Sequence, residues 1–319
     1  MLFGLTTVSS LDWCAIFTTG GGREVEGMII VKLMGGLGNQ MFQYSAARSL
    51  ALKNGTSLKV DLSFLESDQV GNTPRFFELD KFHISAERAS HWEIALLSGR
   101  GRSRFKSTAA SLLQQLAGYS SYREKWFQFD PIVLTLPDKV YLEGYWQSER
   151  YFANIKEIIR KEFTLKTPLE GLNLNLAEEI RTVDAVSLHV RRGDYVTDKN
   201  ISTIHGVCDL EYYRRAVDRV VQALKDPFFY IFSDDPKWVA DNITLRHPAR
   251  YISHNGSMAH EDLRLMSLCR HHVIANSSFS WWGAWLSTSH KKLVVAPQKW
   301  FNNINLNTSD LIPKSWIRI

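Results

Sequence analysis

The run His189-Val190-Arg191-Arg192-Gly193-Asp194-Tyr195 sets two adjacent guanidiniums, a glycine and a carboxylate directly behind an apolar stretch, Ala185-Val186-Ser187-Leu188. That stretch has the length and branching of a buried strand. Two arginines at a strand end are costly to bury for packing alone. They suit a loop that meets a phosphate-bearing ligand, because a guanidinium fork pairs with phosphate oxygens two at a time. In open α/β sheets, ligands sit beyond the carboxyl ends of the strands, where such a loop lies. The competing reading is a surface Arg-Asp salt-bridge loop, and other segments weigh against it.

Gly35-Gly36-Leu37-Gly38-Asn39-Gln40 is a glycine turn between a strand-like and a helix-like segment, where backbone N–H groups can face an anion. Neither a Walker loop nor G-x-G-x-x-G is present, so a tight structural turn accounts for the glycines equally well. The amides of Asn39 and Gln40 could hydrogen-bond a hydroxyl-rich ligand, although helix capping explains one of them. Ser233-Asp234-Asp235-Pro236 follows another strand. Asp235 reads as a helix cap, which leaves Asp234 as an acceptor for a ribose or guanine edge. Asn276-Ser277-Ser278-Phe279-Ser280-Trp281-Trp282-Gly283-Ala284-Trp285 ends a strand and opens a helix. Its hydroxyls and first-turn N–H groups form an anion seat, while the tryptophans read as packing. His271-His272 reads as structural rather than metal-binding. No Asp-x-Asp, Ser-His-Asp or Cys-His arrangement is visible.

The elements that must position these groups alternate. Met28–Leu33 reads as a strand, Phe42–Lys53 as a helix stopped at Asn54-Gly55, and Leu58–Leu62 as a strand, a β-α-β opening. Residues 84–126 read as helices interrupted by Arg100, Arg102, Arg104 and Lys106, a solvated basic loop with membrane-surface contact as the minority reading. Tyr141–Trp146 reads as a strand, Tyr151–Phe163 as an amphipathic helix and Thr167–Asn175 as a linker. From 185 onward strands and helices alternate regularly to Ala296, with Asp235-Pro236 as cap and first helical residue. Such alternation implies parallel sheets covered on both faces. The division expected is a leader over 1–27 whose order the sequence does not set, an α/β domain over 28–166, a linker over 167–175 and a second α/β domain over 176–319.

The chain has 319 residues, 45% hydrophobic and 22% charged, enough to bury a large core. A net charge of +5 suits an anionic small ligand, and no Lys/Arg tract is dense enough to demand nucleic acid. Cys14, Cys208 and Cys269 form neither a disulfide framework nor a zinc spacing, so a reducing compartment is the default. No stretch approaches the ~18 apolar residues of a transmembrane helix, and Met1–Phe17, with Asp12 and no basic start, is a poor signal peptide.

Taken in order, the glycine motif at 35–44, the His-Val-Arg-Arg-Gly-Asp-Tyr run, Phe232-Ser233-Asp234-Asp235-Pro236 and Asn276–Gly283 resemble the α-1,2-fucosyltransferases of glycosyltransferase family 11, of bacterial type. The resemblance spans about residues 28 to 300 and implies a GT-B-like α/β fold, two Rossmann-like parallel-sheet domains facing across a cleft. It implies GDP-β-L-fucose as donor, no metal or other cofactor, inversion at fucose C1, and the 2-hydroxyl of a terminal galactose as acceptor. The first domain would then be the acceptor side and the second the GDP-fucose side. Partners are a galactose-terminated glycan, free or lipid-linked, and no nucleic acid. The implied location is cytoplasmic, with the inner face of the membrane as its variant.

On these residues, Arg191, Asp194 and Asn39 are the catalytic candidates. Arg191 would stabilise the leaving diphosphate, Asp194 would act as base or as a brace for Arg192, and Asn39 would orient a hydroxyl. His189, Arg191, Arg192, Ser233, Asp234, Asp235, Asn276, Ser277, Ser278, Ser280, Gly36, Gly38 and Gln40 are the donor-binding candidates. Competing readings are another GDP-fucose transferase (α-1,6 or protein O-linked), a Rossmann dehydrogenase or sugar-nucleotide dehydratase, which lacks its dinucleotide fingerprint here, and a non-catalytic carbohydrate-binding protein.

Overall fold

The computed structural model describes residues 27–67, 73–99, 120–303 and 306–319. The leader before Gly27 and the basic stretch 100–106 lie outside the described residues. Five parallel strands form the first sheet: β1 (Met28–Lys32), β2 (Ser57–Asp61), β3 (Glu87–Arg88), β4 (Ser120–Arg123) and β5 (Val140–Glu143), in the order β3-β2-β1-β5-β4. Six more form the second: β6 (Asp184–Val190), β7 (Pro227–Ser233), β8 (Ala249–Ile252), β9 (His271–Val273), β10 (Val294–Ala296) and β11 (Ile317–Arg318), in the order β11-β10-β9-β6-β7-β8. Central strands are apolar on both faces, as parallel sheets require; in β6 every residue after Asp184 is buried. This is the GT-B-like pair of parallel-sheet units that the motifs imply.

In each sheet the chain builds outward from one strand, then returns to that strand's other side. The order therefore reverses between β1 and β5 in the first sheet and between β6 and β9 in the second. Crevices open beyond the carboxyl ends of strands at such points. The glycine turn leaves β1, the double-arginine run leaves β6 and the serine-rich segment leaves β9, so all three motifs fall at reversals.

Helices fill the connections: α1 (Leu37–Asn54), α2 (His91–Ser98), α3 (Lys156–Glu162), α4 (Gly171–Thr182), α5 (Gly193–Thr197), α6 (Lys199–His205), α7 (Leu210–Ala223), α8 (Pro236–Asn242), α9 (Ala259–Leu268) and α10 (Ser278–Leu286). Helix α1 begins inside the glycine motif, five residues before the expected start at Phe42, and ends at Gly55, whose φ of 63° closes the last turn. The expected linker 167–175 is shortened, because 171–175 already belong to α4, which buries Leu176, Ala177 and Ile180. Within 84–126, expected to be helical, the described residues hold α2 but also β3 and β4. Strand β4 (Ser-Ser-Tyr-Arg) is an edge strand with no apolar run to announce it.

One hydrophobic core runs through both units. Phe42 of α1 and Phe152 meet Trp281 and Trp282 of α10, with Phe42 and Trp281 centroids 4.4 Å apart and Phe152 stacked on Trp282 at 5.4 Å. Trp300, Phe301, Leu311, Ile312 and Trp316, all downstream of β10, bury themselves in the same cluster beside Ile29 and Leu142 of the first sheet. The closing segment of the chain thus packs against the first unit. No helix among the described residues is long and apolar enough to cross a membrane.

Candidate functional site

Arg191 leaves β6 into a frame of carboxylates. Its Nη2 donates to Asp194 Oδ1 at 2.5 Å and its Nη1 pairs with Asp234 Oδ2 at 2.9 Å. The Tyr195 ring lies 5.1 Å from the guanidinium carbon. Burial works against the charge, but Asp234 and Asp194 more than offset it and hold the group protonated. With both terminal nitrogens so fixed, the Nε–H is buried and has no partner among the described residues. His189, two residues earlier, is likewise buried, with an unpartnered Nδ1 and the Phe279 ring at 5.4 Å. Burial, and then the Arg191 charge, drive its pKa down to about 3, so the ring is neutral at physiological pH. Two unsatisfied buried nitrogens at one strand end are expensive unless a ligand completes them.

Arg192 is a brace. Its guanidinium lies flat over Trp238, 3.7 Å from the ring centre, and its Nε reaches Asp235 at 3.3 Å. Its backbone N–H donates to Asp234 Oδ1 at 2.8 Å. Asp235 caps α8 by accepting from the Trp238 N–H at 3.1 Å, with Pro236 in the first turn. Ser233 Oγ accepts from the Asp235 N–H at 2.9 Å. The Ser233, Asp234 and Asp235 side chains therefore shape their own turn and hold the two arginines, rather than standing open to a nucleotide.

Asp194 was expected to act as a base or to pair with Arg192. It does not reach Arg192. It is held by Arg191 and, from the first unit, by Arg75, whose Nη2 donates to its Oδ2. Only 6% of its side chain is exposed. Both carboxylate oxygens are thus taken up by guanidiniums from the two units, the geometry of a brace.

Two further donor-site expectations are corrected by geometry. Asn276 is consumed: its Nδ2 donates to His205 O at 3.0 Å and Trp300 O at 3.1 Å, and its Oδ1 accepts from Cys208 Sγ. Ser280, fully buried, turns its hydroxyl back to Ser277 O at 3.2 Å. Ser277 occupies the cap position of α10, yet its side chain makes no cap bond. Ser278 points to the other unit: its Oγ donates to Asn39 Oδ1 at 2.8 Å.

The glycine turn is mostly a joint. A Cβ on Gly38 would fall 2.5 Å from the Ser278 carbonyl carbon, so glycine there permits α1 and α10 to touch backbone to backbone. The Gly38 carbonyl also accepts from Trp282 Nε1 at 2.9 Å. Gln40, buried, spends its amide on Gly35 O, Phe76 O and the Glu78 N–H. The anion at the start of α1 is the chain's own, Glu78, whose Oε1 accepts from the Leu37 N–H at 3.1 Å. Gly38 and Gln40 are thus structural. Gly36 faces Arg75 instead, whose Nη1 lies 3.5 Å from where a Cβ would stand.

Asn39 sits between the two order reversals. Its Oδ1 accepts from Ser278 and, at 2.8 Å, from Gln147 Nε2 in the segment after β5. Gln147 follows Trp146, a buried residue held at φ 55°, where bulky side chains are rare. Both carboxylate oxygens of Glu124 pin this turn through the Tyr145 and Trp146 N–H groups, at 2.7 and 3.0 Å. Arg75, Gln147 and Glu124 were missed in the sequence. None sits in a recognisable motif, and each acts across more than 20 residues of chain.

The arrangement is a cluster of arginines at a parallel strand end beside a helix start whose first residue makes no side-chain cap, suited to a phosphate-bearing group. A model of glycosyl transferase family 11 matches residues 114–319. An alpha-1,2-colitosyltransferase from Escherichia coli is 33% identical over 92% of this chain and 99% of its own length. The galactoside 2-alpha-L-fucosyltransferase Sec1 of Mus musculus is 26% identical over 82% of this chain and 65% of its length. Fucosyltransferase NodZ from Bradyrhizobium superposes with a TM-score of 0.47 at 15% identity, over 81% of this chain and 91% of that one. The extent of the family match, and the near full-length similarity to the first of these relatives, show that this chain belongs to glycosyl transferase family 11.

Proposed function

We propose that the chain moves L-fucose from GDP-β-L-fucose to the 2-hydroxyl of a terminal galactose, with inversion and without a metal, in the cytoplasm or at the inner face of the membrane. The observation that carries this reading is Arg191, fixed by two carboxylates with its Nε–H buried and unmet. Loss of a nucleoside diphosphate from an anomeric carbon builds negative charge on the leaving oxygens. A preorganised guanidinium is among the groups that best lower the energy of that charge. The start of α10, where Ser277 makes no side-chain cap, adds a partial positive charge from the next strand end. The acceptor would enter from the first unit, past Asn39 and Gln147.

A second reading has its own support: the relative that is 33% identical is named for colitose, not fucose. Colitose is fucose without the 3-hydroxyl, so the same diphosphate site serves both sugars and one hydroxyl separates them. Incubation of the purified chain with GDP-fucose or GDP-colitose and a panel of β-galactosides, with linkage analysis of the product, decides between them. An α-1,2-fucosylated galactoside, formed equally in excess chelator, is the expected result. A different linkage, a clear preference for GDP-colitose, or activity lost to chelator and restored by magnesium or manganese would each overturn the corresponding part.

A further inference from the structure

Asn39 Oδ1 is filled from two sides. It accepts from Ser278 Oγ at the start of α10 and from Gln147 Nε2 in the segment after β5, each at 2.8 Å. The second bond fixes which way round the Gln147 amide lies. With Nε2 committed to Asn39, the other branch of the amide, Oε1, is buried and meets no donor among the described residues. Only 8% of Gln147 is exposed. A carbonyl oxygen unmet at that depth is costly unless something from outside the chain donates to it. The polar groups around it are spent. Ser148 Oγ donates to Asp310 O and accepts from the Arg150 N–H, and both Glu124 oxygens hold the Tyr145 and Trp146 N–H groups. Trp146 Nε1 is also unmet, but its fully buried ring lies in the core against Tyr122 and Tyr151. The positive φ of Trp146, held by Glu124, thus falls at the residue that sets where Gln147 stands.

From this geometry we infer that Gln147 is an acceptor-binding residue, whose Oε1 accepts a hydrogen bond from one hydroxyl of the terminal galactose. The inference rests on the galactoside-acceptor reading above. An amide oxygen only accepts, so it cannot meet a phosphate oxygen and does not belong to the diphosphate. It calls for a donor, and a pyranose carries several hydroxyls that donate. Gln147 leaves the first sheet beside the reversal between β1 and β5. The bonds from Gln147 to Asn39 and from Ser278 to Asn39 tie it to the start of α10, which follows β9, the neighbour of the arginine-bearing β6. A hydroxyl held by Gln147 is therefore presented toward the strand ends of the second unit, where Arg191 stands. Asn39 keeps the amide in the orientation that leaves Oε1 for the sugar.

The test measures, by NMR titration of the full-length protein with GDP present, dissociation constants for methyl β-galactoside and its 2-, 3-, 4- and 6-deoxy analogues. It is run on wild type, Gln147→Met and Gln147→Glu, with GDP-fucose affinity and melting temperature taken on the same preparations. Wild type is expected to bind at least one analogue about tenfold more weakly than the parent sugar, because Oε1 is then left unmet. Gln147→Met should bind the parent about tenfold more weakly, while the penalty for that one analogue shrinks to within about twofold and the other three keep theirs. Asn39 Oδ1 still has Ser278 in this variant, so no second polar atom is orphaned. Gln147→Glu keeps an acceptor oxygen and should keep the wild-type pattern. A Met variant that weakens all five sugars by one factor, or none of them, overturns the inference. So does a wild type that is indifferent to every deoxy position or binds no β-galactoside. GDP-fucose affinity lost with galactoside affinity untouched would give the oxygen to the donor sugar and overturn it too. If Gln147→Met does not fold, Gln147→Glu decides: the wild-type pattern supports the inference and its loss overturns it. A wild type that binds galactoside but transfers no fucose from GDP-fucose would instead sink the donor reading and leave this one standing.

Discussion

At the start of α1 the Leu37 N–H is already taken by the chain's own Glu78 carboxylate, whereas at the start of α10 Ser277 makes no side-chain cap and Arg191 stands on the neighbouring strand end. Both helices leave a parallel strand at an order reversal, through a turn of small residues, and they touch each other at Gly38 and Ser278. One start is a sealed joint, and the other is the one that the proposed function gives to the diphosphate. A glycine-rich strand–helix turn is therefore not itself an anion site. What decides is whether the chain brings its own anion.

Replacing Arg191 by Lys attacks the open side of this comparison and should have the largest effect. Turnover is expected to drop on the order of a hundredfold or more, because the charge survives but the fork does not. Near-normal turnover and donor affinity in that variant would remove Arg191 from the chemistry. Gly38→Ala attacks the sealed side. The new methyl meets the backbone at Ser278, so α1 and α10 must separate, at about 1–3 kcal/mol of stability. Thermal unfolding reads this directly, and an unshifted melting point would mean that the two helix starts are not in contact.

Asp194→Asn tests the carboxylate shared between the units. As a brace between Arg75 and Arg191, its loss should lower the melting temperature by a few degrees, with GDP restoring much of the deficit. Turnover at saturating donor should then stay within about tenfold of wild type, well short of what loss of a general base does. A collapse of turnover with unchanged GDP affinity and stability would instead make Asp194 the base.

Glu78→Gln should give the smallest change, and its sign follows from burial. Burial raises the Glu78 carboxyl above its usual range, against the opposing pull of the Leu37 N–H and Arg75. A carboxyl raised in the folded state stabilises fully only below its unfolded value, about 4.3, and that stability is lost as pH rises through the folded value. The non-ionising Gln variant should therefore melt slightly higher than wild type at pH 7, and the gap should close on acidification. Variants that match at pH 7 and diverge in acid would contradict this.

The same comparison explains what the sequence could disclose. The β6 motif was legible because a run of buried residues followed by Arg-Arg-Gly-Asp has few other uses, and the helix cap at Asp235-Pro236 was legible because capping is local. Gly38, Gln40, Asn276 and Ser280 were read as ligand-facing although their partners are Ser278, Phe76, Gly206 and Ser277. Glycine, amide and hydroxyl look the same in sequence whether they face a substrate or a backbone carbonyl from elsewhere in the chain. Arg75 carried no signal, since its meaning lies in a carboxylate 119 residues away. Strand β4, with its alternating exposure and no apolar run, was invisible for the complementary reason that edge strands need little hydrophobicity.

The tryptophan cluster joining the units has an optical consequence. Trp281 and Trp282, fully buried against Phe42 and Phe152, occupy the seam itself. Any event that parts α10 from α1 wets those indoles and moves their emission toward the red, while ligand-driven tightening leaves it blue. The molecule carries its own docking gauge, readable in ultraviolet light without a dye.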